Sequence, residues 1–401
     1  MANRKYFLML AIIGFSFIAK AQTTSFQQVD STTYARYTAG DWKSLVELGN
    51  NAINAGVDYP ILRLRMAYAK FMTGNYAGAL GDYSHVLKDD SRNQTAHYFS
   101  YLCNKYLGNN NGASYHAGYV DTLTLKNEQI SSFGLLEAGL ENSVKTSANA
   151  NRGTGNYTRV FLSNRLGWQL QLEQSVGYYN QSITSNNPIA IQIPGGPLVN
   201  QGGSATYSDS QFEYYGKLGL AVNSNLTVLG AYHYLNTSYG TTTYQNHVGL
   251  VGLKYWGYYF AVQADADFSS ISNIVTQQYN GQLSIYPLGN LNLYTVSRLS
   301  VQSGDVQQTI FNQTLGFKVV NKLWLEANAG FGKMDNYLEA DALYVYNSID
   351  VTKFKAGGTA FFPLNKHAVV YLNYAFEQKQ DFYLNNNYNQ HSITGGFTWK
   401  F

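Results

Sequence analysis

The sequence predicts an α plus membrane-β protein: a short helical repeat region, then a transmembrane antiparallel β-barrel of about fourteen strands, within a range of about twelve to sixteen. Three observations carry this. Gly40, Gly74 and Gly108 stand 34 residues apart. Beyond about residue 125 the apolar period changes from helical to two. The chain then runs out on "GGFTWKF", with Phe397, Trp399 and Phe401 at alternate places.

Composition sets the bounds. A chain of 401 residues has room for two or three domains. Only 13% of it is charged, too little for an ordinary soluble globule, while a mean hydropathy of −0.25 excludes a bundle of apolar membrane helices. The 35 Tyr and 37 Gly against 6 Pro suit many strands joined by polar turns.

The first element is a secretory signal over residues 1–21. Arg4 and Lys5 precede the apolar run "YFLMLAIIGFSFIA", which is too short for a spanning helix. "AKA" offers a cleavage site after Ala21, and no Cys follows it to make a lipoprotein. Cleavage removes Arg4, Lys5 and Lys20 from the 27 cations and nothing from the 24 acids, so the mature charge is zero. No basic field remains to attract nucleic acid. Cys103 is the single cysteine, which excludes a disulfide framework.

The second element, residues 22–125, carries the 34-residue repeat in "YARYTAGDWKSL", "YAKFMTGNYAGAL" and "LCNKYLGNNNGAS". Tyr34, Tyr68 and Leu102 align, as do Trp42 and Tyr76, and Leu45, Ala79 and Ala113. The pattern resembles the tetratricopeptide repeat, whose signature falls here on Gly40, Trp42, Ala69, Gly74, Tyr76, Ala79 and Gly108. The middle copy matches best. The outer copies depart from it, since Leu45 is not small and Asn110 is not aromatic. Small residues at 69 and 79 let paired helices approach, and stacked hairpins bury apolar faces none can bury alone. The resemblance implies a groove that binds a peptide or protein segment, with a plain spacer as the alternative. Arg36, Arg63, Arg65, Lys70 and Asn104 are the candidate groove residues. His85, His97 and His116 show no mutual ligand spacing and read as surface or core histidines.

The third element, residues 126–401, alternates. In "YYFAVQADADFSS" Phe260, Val262, Ala264, Ala266 and Phe268 share one face, and Gln263, Asp265, Asp267 and Ser269 the other. Short turns at 163–167, 223–225, 256–257, 287–290, 321–322 and 363–366 alternate with seven connections read as longer loops. That asymmetry is typical of outer-membrane barrels. Trp168, Tyr178, Tyr179, Tyr255, Trp256, Tyr258, Tyr286 and Trp399 lie at strand ends, where an interfacial girdle belongs. A sheet in lipid must close, because an open edge leaves amides without partners. In the last strand Ile393, Gly395, Phe397, Trp399 and Phe401 face lipid. Its terminal aromatic resembles the assembly signal that barrel-insertion machinery reads.

Phase places Glu137, Glu141, Glu173, Glu213, Asp265, Asp267, Glu326 and Glu377 in the lumen. Facing them are Arg159, Lys217, Lys254, Arg298, Lys318, Lys353, Lys355, Lys379 and Lys400. A charge-selective pore shows one dominant sign; this balanced set predicts ion pairs across the lumen, with an inward-folded loop. The apolar stretch "NNPIAIQIPGGPLVN" (186–200), within the long 185–210 connection, is the candidate for that loop or for a surface-binding one. For catalysis, His391 and Ser392 face opposite sides, while His233 and His247 lie on neighbouring strands near Thr237 and Ser238. No nucleophile motif, metal-spaced cluster or phosphate loop occurs, so no catalytic residue, metal or cofactor is expected.

The whole order of signal, repeats and terminal barrel resembles the YaiO-type outer-membrane barrel proteins with an N-terminal tetratricopeptide region. That resemblance implies the outer membrane of a Gram-negative bacterium and no established catalytic residues. An even strand number puts both ends of the barrel on the short-turn side, with the repeats in the periplasm. The leading expectation is an outer-membrane-anchored adaptor whose repeats capture a periplasmic protein or peptide in envelope assembly or export. The alternative is a channel for small solutes with the repeats as accessory, and the minor one a lipid-modifying enzyme. The partners expected are outer-membrane lipid, the insertion machinery and an unidentified periplasmic protein or peptide, with no nucleic acid.

Overall fold

The computed structural model describes residues 25–185, 189–192, 198–201 and 205–401, so the signal segment and its cleavage site lie outside the described residues. Seven helices come first among them: α1 Phe26–Thr38, α2 Trp42–Asn54, α3 Pro60–Met72, α4 Tyr76–Asp89, α5 Gln94–Tyr106, α6 Asn110–Ala117 and α7 Thr122–Asn127. The first six pair as three hairpins. Each hairpin turns through one of the repeated glycines, at φ +68° for Gly40, +79° for Gly74 and +77° for Gly108, where a side chain is disfavoured. The next residue, Asp41, Asn75 or Asn109, caps the following helix by accepting from the amide of Ser44, Gly78 or Gly112. Leu45, Ala69, Ala79 and Tyr83 are fully buried between the helices.

The candidate groove cations are paired within the helical stack, and only Arg65 reaches from one hairpin to another. Arg63 reaches Asp58 at 2.7 Å and Asp82 at 2.8 Å, and Lys70 reaches the same buried Asp82 at 2.5 Å. Arg65 pairs with Asp30 and Arg36 with Asp41, each at 2.8 Å. Asn104 is a correction: it is buried, accepts from Asn109 Nδ2 at 2.7 Å and donates to Ser100 O at 2.8 Å, so it faces the helix interior and not a groove.

His97 and His116 are buried against each other, a contact their sequence spacing did not reveal. The Ser91 carbonyl only accepts, so the His97 Nε2 proton points to it (3.0 Å), and His97 Nδ1 then accepts from His116 Nδ1–H at 3.1 Å. Burial pushes His97 below the ordinary histidine range, and burial with the neighbouring ring pushes His116 down to about 3.

The strands are β1 Phe133–Ser147, β2 Gly155–Leu166, β3 Leu170–Ser185, β4 Ile189–Gln192, β5 Leu198–Gln201, β6 Ala205–Ala221, β7 Leu226–Tyr239, β8 Thr242–Trp256, β9 Phe260–Ile271, β10 Ile274–Ile285, β11 Leu293–Gly304, β12 Gln308–Val320, β13 Leu323–Met334, β14 Tyr337–Glu339, β15 Tyr344–Tyr346, β16 Val351–Pro363, β17 Ala368–Gln380 and β18 Asn387–Lys400. Fourteen of them form one closed antiparallel barrel, and β4–β5 and β14–β15 are separate two-stranded hairpins. No described helix is long and apolar enough to cross a membrane. The outer face is apolar: Val251, Leu253, Phe268, Leu372, Ile393 and Phe397 point away from the lumen.

Closure is made by β18 against β1, in register from Glu137↔Lys400 to Ser147↔Gln390, and Phe401 N–H adds a bond to Leu136 O at 2.9 Å. A side-chain device reinforces the seam. The Tyr371 ring on β17 lies across Gly396 on β18, and its hydroxyl donates to Glu141 on β1 at 2.7 Å. The same crossing recurs twice. Tyr294 passes over Gly316 to Glu326 at 2.7 Å, and Tyr157 over Gly177 to Glu213 at 3.1 Å. Each glycine sits where a β-carbon would meet the ring, so each tyrosine ties three strands together.

Two features depart from the sequence reading. The connections 240–241 and 272–273 are tight rather than long, the latter with both Ser272 (φ +51°) and Asn273 (φ +66°) left-handed, as a two-residue hairpin prefers. The aromatic girdle is also smaller. Tyr178, Tyr255, Tyr258 and Trp399 face outward, but Trp256 and Tyr286 stack on each other inside (5.8 Å), Tyr179 faces the lumen, and Trp168 packs on the helical region. Their alternation phase and the docked helices account for this.

Two outcomes are expected. Gly396→Val displaces Tyr371 from Glu141 and costs about 1–3 kcal/mol, the range for overfilling a packed site. The heat-resistant folded band on detergent gels measures it, and an unshifted midpoint rejects the crossing as a stabilising device. For the histidine pair, the folded state takes up protons less readily than the unfolded one. Its stability is therefore whole above the ordinary value near 6.5 and falls as pH drops below it, by about 1.4 kcal/mol per pH unit for one histidine. Amide protection factors over residues 94–117, taken relative to the intrinsic exchange rate at each pH, are expected to fall between pH 7 and 5 in the native chain and less so in His116→Asn.

Candidate functional site: an occluded lumen

Alternation delivers most of the charged residues to the inside as read from the sequence. They pair mainly along the wall, not across it. Arg159 meets Glu141 at 3.0 Å, Lys217 meets Glu173 at 3.0 Å, Arg298 meets Asp265 at 2.8 Å, and Lys400 lies 3.8 Å from Glu137. Asp267 accepts from Asn280 (2.7 Å), Glu377 from Gln390 (2.7 Å) and Glu326 from Tyr294. Lys254 and Lys318 sit over the rings of Trp256 and Trp324, at 4.6 and 4.7 Å. Lys353 is a correction. A register shift between Thr352 and Phe354 turns it out of the inward phase, and its Nζ donates to the exposed Asn387 at 3.2 Å.

The middle of the lumen is filled by residues 335–350, the connection from β13 to β16, which folds inward as the β14–β15 hairpin. Tyr337, Leu338 and Ala342 are buried. The wall grips the hairpin main chain with side chains: Gln278 both donates to Leu338 O (2.7 Å) and accepts from Leu338 N (3.1 Å), Tyr215 donates to Asp341 O (2.9 Å), and His233 donates to Ala342 O (2.8 Å). Leu229, Leu235, Val248, Leu250 and Ile271 form an apolar patch on the inner wall, and Leu338 and Ala342 pack on it. Ion pairs finish the seat: Glu339 to Lys355 at 2.9 Å, and Asp341 to Lys217 and Arg298 at 3.3 and 3.7 Å. These are the pairs that do cross the lumen, and the loop carries their acids.

The tip is strained. Ala340, Asp341 and Ala342 take φ of +54°, +59° and +64°, three successive left-handed residues without a glycine. Each costs about 1–2 kcal/mol relative to an ordinary conformation, which the wall contacts must offset.

Above the hairpin, the loop-side connections are clasped by one buried cation. Arg152, from the β1–β2 loop, holds Asp350 at 2.5 Å and Asp381 at 3.1 Å, with all three side chains nearly inaccessible. Tyr388 donates to Asp350 at 2.6 Å and Asn149 to Asp381 at 2.6 Å. At the opposite end the helical region sits on the short turns. Ala77 N–H donates to Gly289 O (3.0 Å), Tyr259 donates to Asn75, Asn290 to Gly74 O, and Asn111 to Gly219 O. Arg165 and Gln171 both donate to Ser114. The capping residues of the second and third repeats thus face the barrel rim.

The sequence reading missed Arg152, Glu339, Asp341, Asp350 and Asp381. It also assigned the inward loop to 186–200. There β4 pairs with β5, but the side chains of that stretch lie outside the described residues. The available signal was in "DNYLEADALYVYNSID" (335–350), too apolar for a surface connection. The histidines of the enzyme reading separate: His233 is buried in the lumen, while His247 faces outward and bonds Tyr232 at 2.8 Å. His391 likewise faces outward onto Tyr374 (2.8 Å), with Ser392 turned inside.

These features define a closed fourteen-strand membrane barrel with an internal hairpin and a docked helical region. No family model and no curated protein matches the chain. Among solved structures, a mutant of the TodX monoaromatic hydrocarbon channel is similar at 11% identity and TM-score 0.45, covering 68% of this chain and 91% of that one. The Acinetobacter baumannii outer-membrane protein Omp33 is similar at 10% identity and TM-score 0.38 (67% and 99%), and the KdgM porin at 9% and 0.32 (66% and 99%). The likeness is one of barrel architecture.

Arg152→Ala leaves Asp350 and Asp381 buried without their cation, a loss of about 3–5 kcal/mol in such pairs. Limited proteolysis of the intact protein is expected to cut within 148–154 or 381–386 in this variant before the native chain is cut. Equal resistance of the two chains rejects the clasp.

Proposed function

We propose that the protein is an outer-membrane channel for small solutes, closed by the 335–350 hairpin. One observation supports this reading: a single segment fills the lumen, while many of the charged wall residues pair among themselves. Eight strands make a barrel that side chains alone can fill, whereas larger barrels leave an aqueous lumen unless something plugs it. Fourteen strands lie above that limit. Asn336 N and Tyr346 O, at the two ends of the hairpin, are 2.9 Å apart, so the plug can be cut out without stretching the chain.

In this reading the signal over 1–21 directs export, and the terminal strand with Phe397, Trp399 and Phe401 is presented to the insertion machinery. The short-turn end with its tetratricopeptide-like region then lies in the periplasm, where short turns belong. The adaptor function is the second reading. It is favoured by α1, which leaves Phe26 and Tyr34 more than half exposed, away from the α4 and α6 residues that dock on the rim.

Excision of residues 337–346, closed with two glycines, decides between them. Reconstituted in planar bilayers, the excised chain is expected to conduct steadily while the native chain stays mostly shut. A folded, excised chain that does not conduct rejects the channel and leaves the barrel as an anchor.

A further inference from the structure

The tip of the hairpin looks outward from its own strands and into a recess of the wall. Asp341 is held there by Gln263 Nε2 at 2.7 Å, with Lys217 Nζ at 3.3 Å and Arg298 Nη1 at 3.7 Å. Three features of the recess are those of a binding site. It is preformed, because each cation already has a wall acid: Lys217 has Glu173 at 3.0 Å and Arg298 has Asp265 at 2.8 Å. Loss of Asp341 therefore leaves no naked charge and no reason to collapse. It is amphipathic, because the carboxylate end adjoins the apolar patch of Leu229, Leu235, Val248 and Leu250 that takes Leu338 and Ala342. Its present occupant is also poorly suited, since it enters on three left-handed residues in a row. A free molecule with the same two ends meets the recess without that strain.

We propose that the Lys217–Gln263–Arg298 recess binds the carboxylate of a small solute with an apolar body, and that Asp341 with its flanking Leu338 and Ala342 occupies the site as an internal surrogate. A solute carboxylate entering the recess takes the hydrogen bond of Gln263 and the field of Lys217 and Arg298, while its apolar part replaces Leu338 and Ala342. The hairpin loses its seat and the channel opens. This rests on the channel reading above and adds the solute class and the trigger.

The experiment uses the full-length protein in planar bilayers at neutral pH and constant ionic strength, with sodium benzoate as probe. Benzamide, of the same shape without the charge, and acetate, with the charge but no apolar body, are the comparisons. Benzoate is expected to raise the open fraction about tenfold, with benzamide inert and acetate weaker. Asp341→Asn is expected to open without benzoate. Benzoate and benzamide acting alike, or neither acting while the excised chain conducts, overturns the surrogate and leaves the channel standing. An excised chain that does not conduct removes both. The benzoate-to-benzamide comparison needs no variant, so it holds if Asp341→Asn fails to fold.

Discussion

The constraint on which this structure depends is that no backbone amide can be left without a partner inside lipid. The sheet must meet itself, and it does so where β18 runs antiparallel to β1. An even number of antiparallel strands returns the chain to the side where it started. Both barrel ends therefore lie among the short turns, and the helices that precede β1 dock on that rim. Gly396 is where this constraint becomes local: a bare backbone lets Tyr371 lie over the seam and bond Glu141. The recurrence at Gly177 and Gly316 indicates a general way to lock neighbouring strands with one ring.

Closure creates a second problem, which is volume. A lumen this wide cannot be filled by wall side chains, and a low-dielectric interior penalises charges without partners. The wall answers with pairs between neighbouring strands, the hairpin with pairs across the lumen. Occlusion thus rests on one connection with a strained tip and a side-chain grip on its main chain. A segment of this kind changes arrangement more readily than a rigid plug, and this motivates the proposal that it acts as a gate.

Much of the fold was legible because its rules are local. The glycines at 40, 74 and 108 mark left-handed turns that few other residues take, and their 34-residue spacing set the helix pairs. Alternation told inside from outside at Asp265, Asp267, Arg298 and Glu377. It failed at Lys353, where a one-residue bulge shifts the phase. It also misread Trp256 and Tyr286 as girdle residues, since an aromatic at a strand end suits an interface or a lumen mouth equally. The acids that pair with Arg63, Arg65 and Lys70 were not legible, because Asp30 and Asp82 come from other helices of the stack.

The sequence by itself determined what neighbours along the chain decide: helix or strand, the inner or outer face of each strand, and a terminal strand built for lipid. The tertiary structure decided what distant segments meet. Arg152 finds Asp350 and Asp381 only once three connections converge at one rim. Asp341 reaches Lys217 and Arg298 only because the closed wall brings β6 and β11 around the same loop tip. Periodicity carries no record of such encounters, since it reports the direction of a side chain and not what stands opposite when the barrel closes.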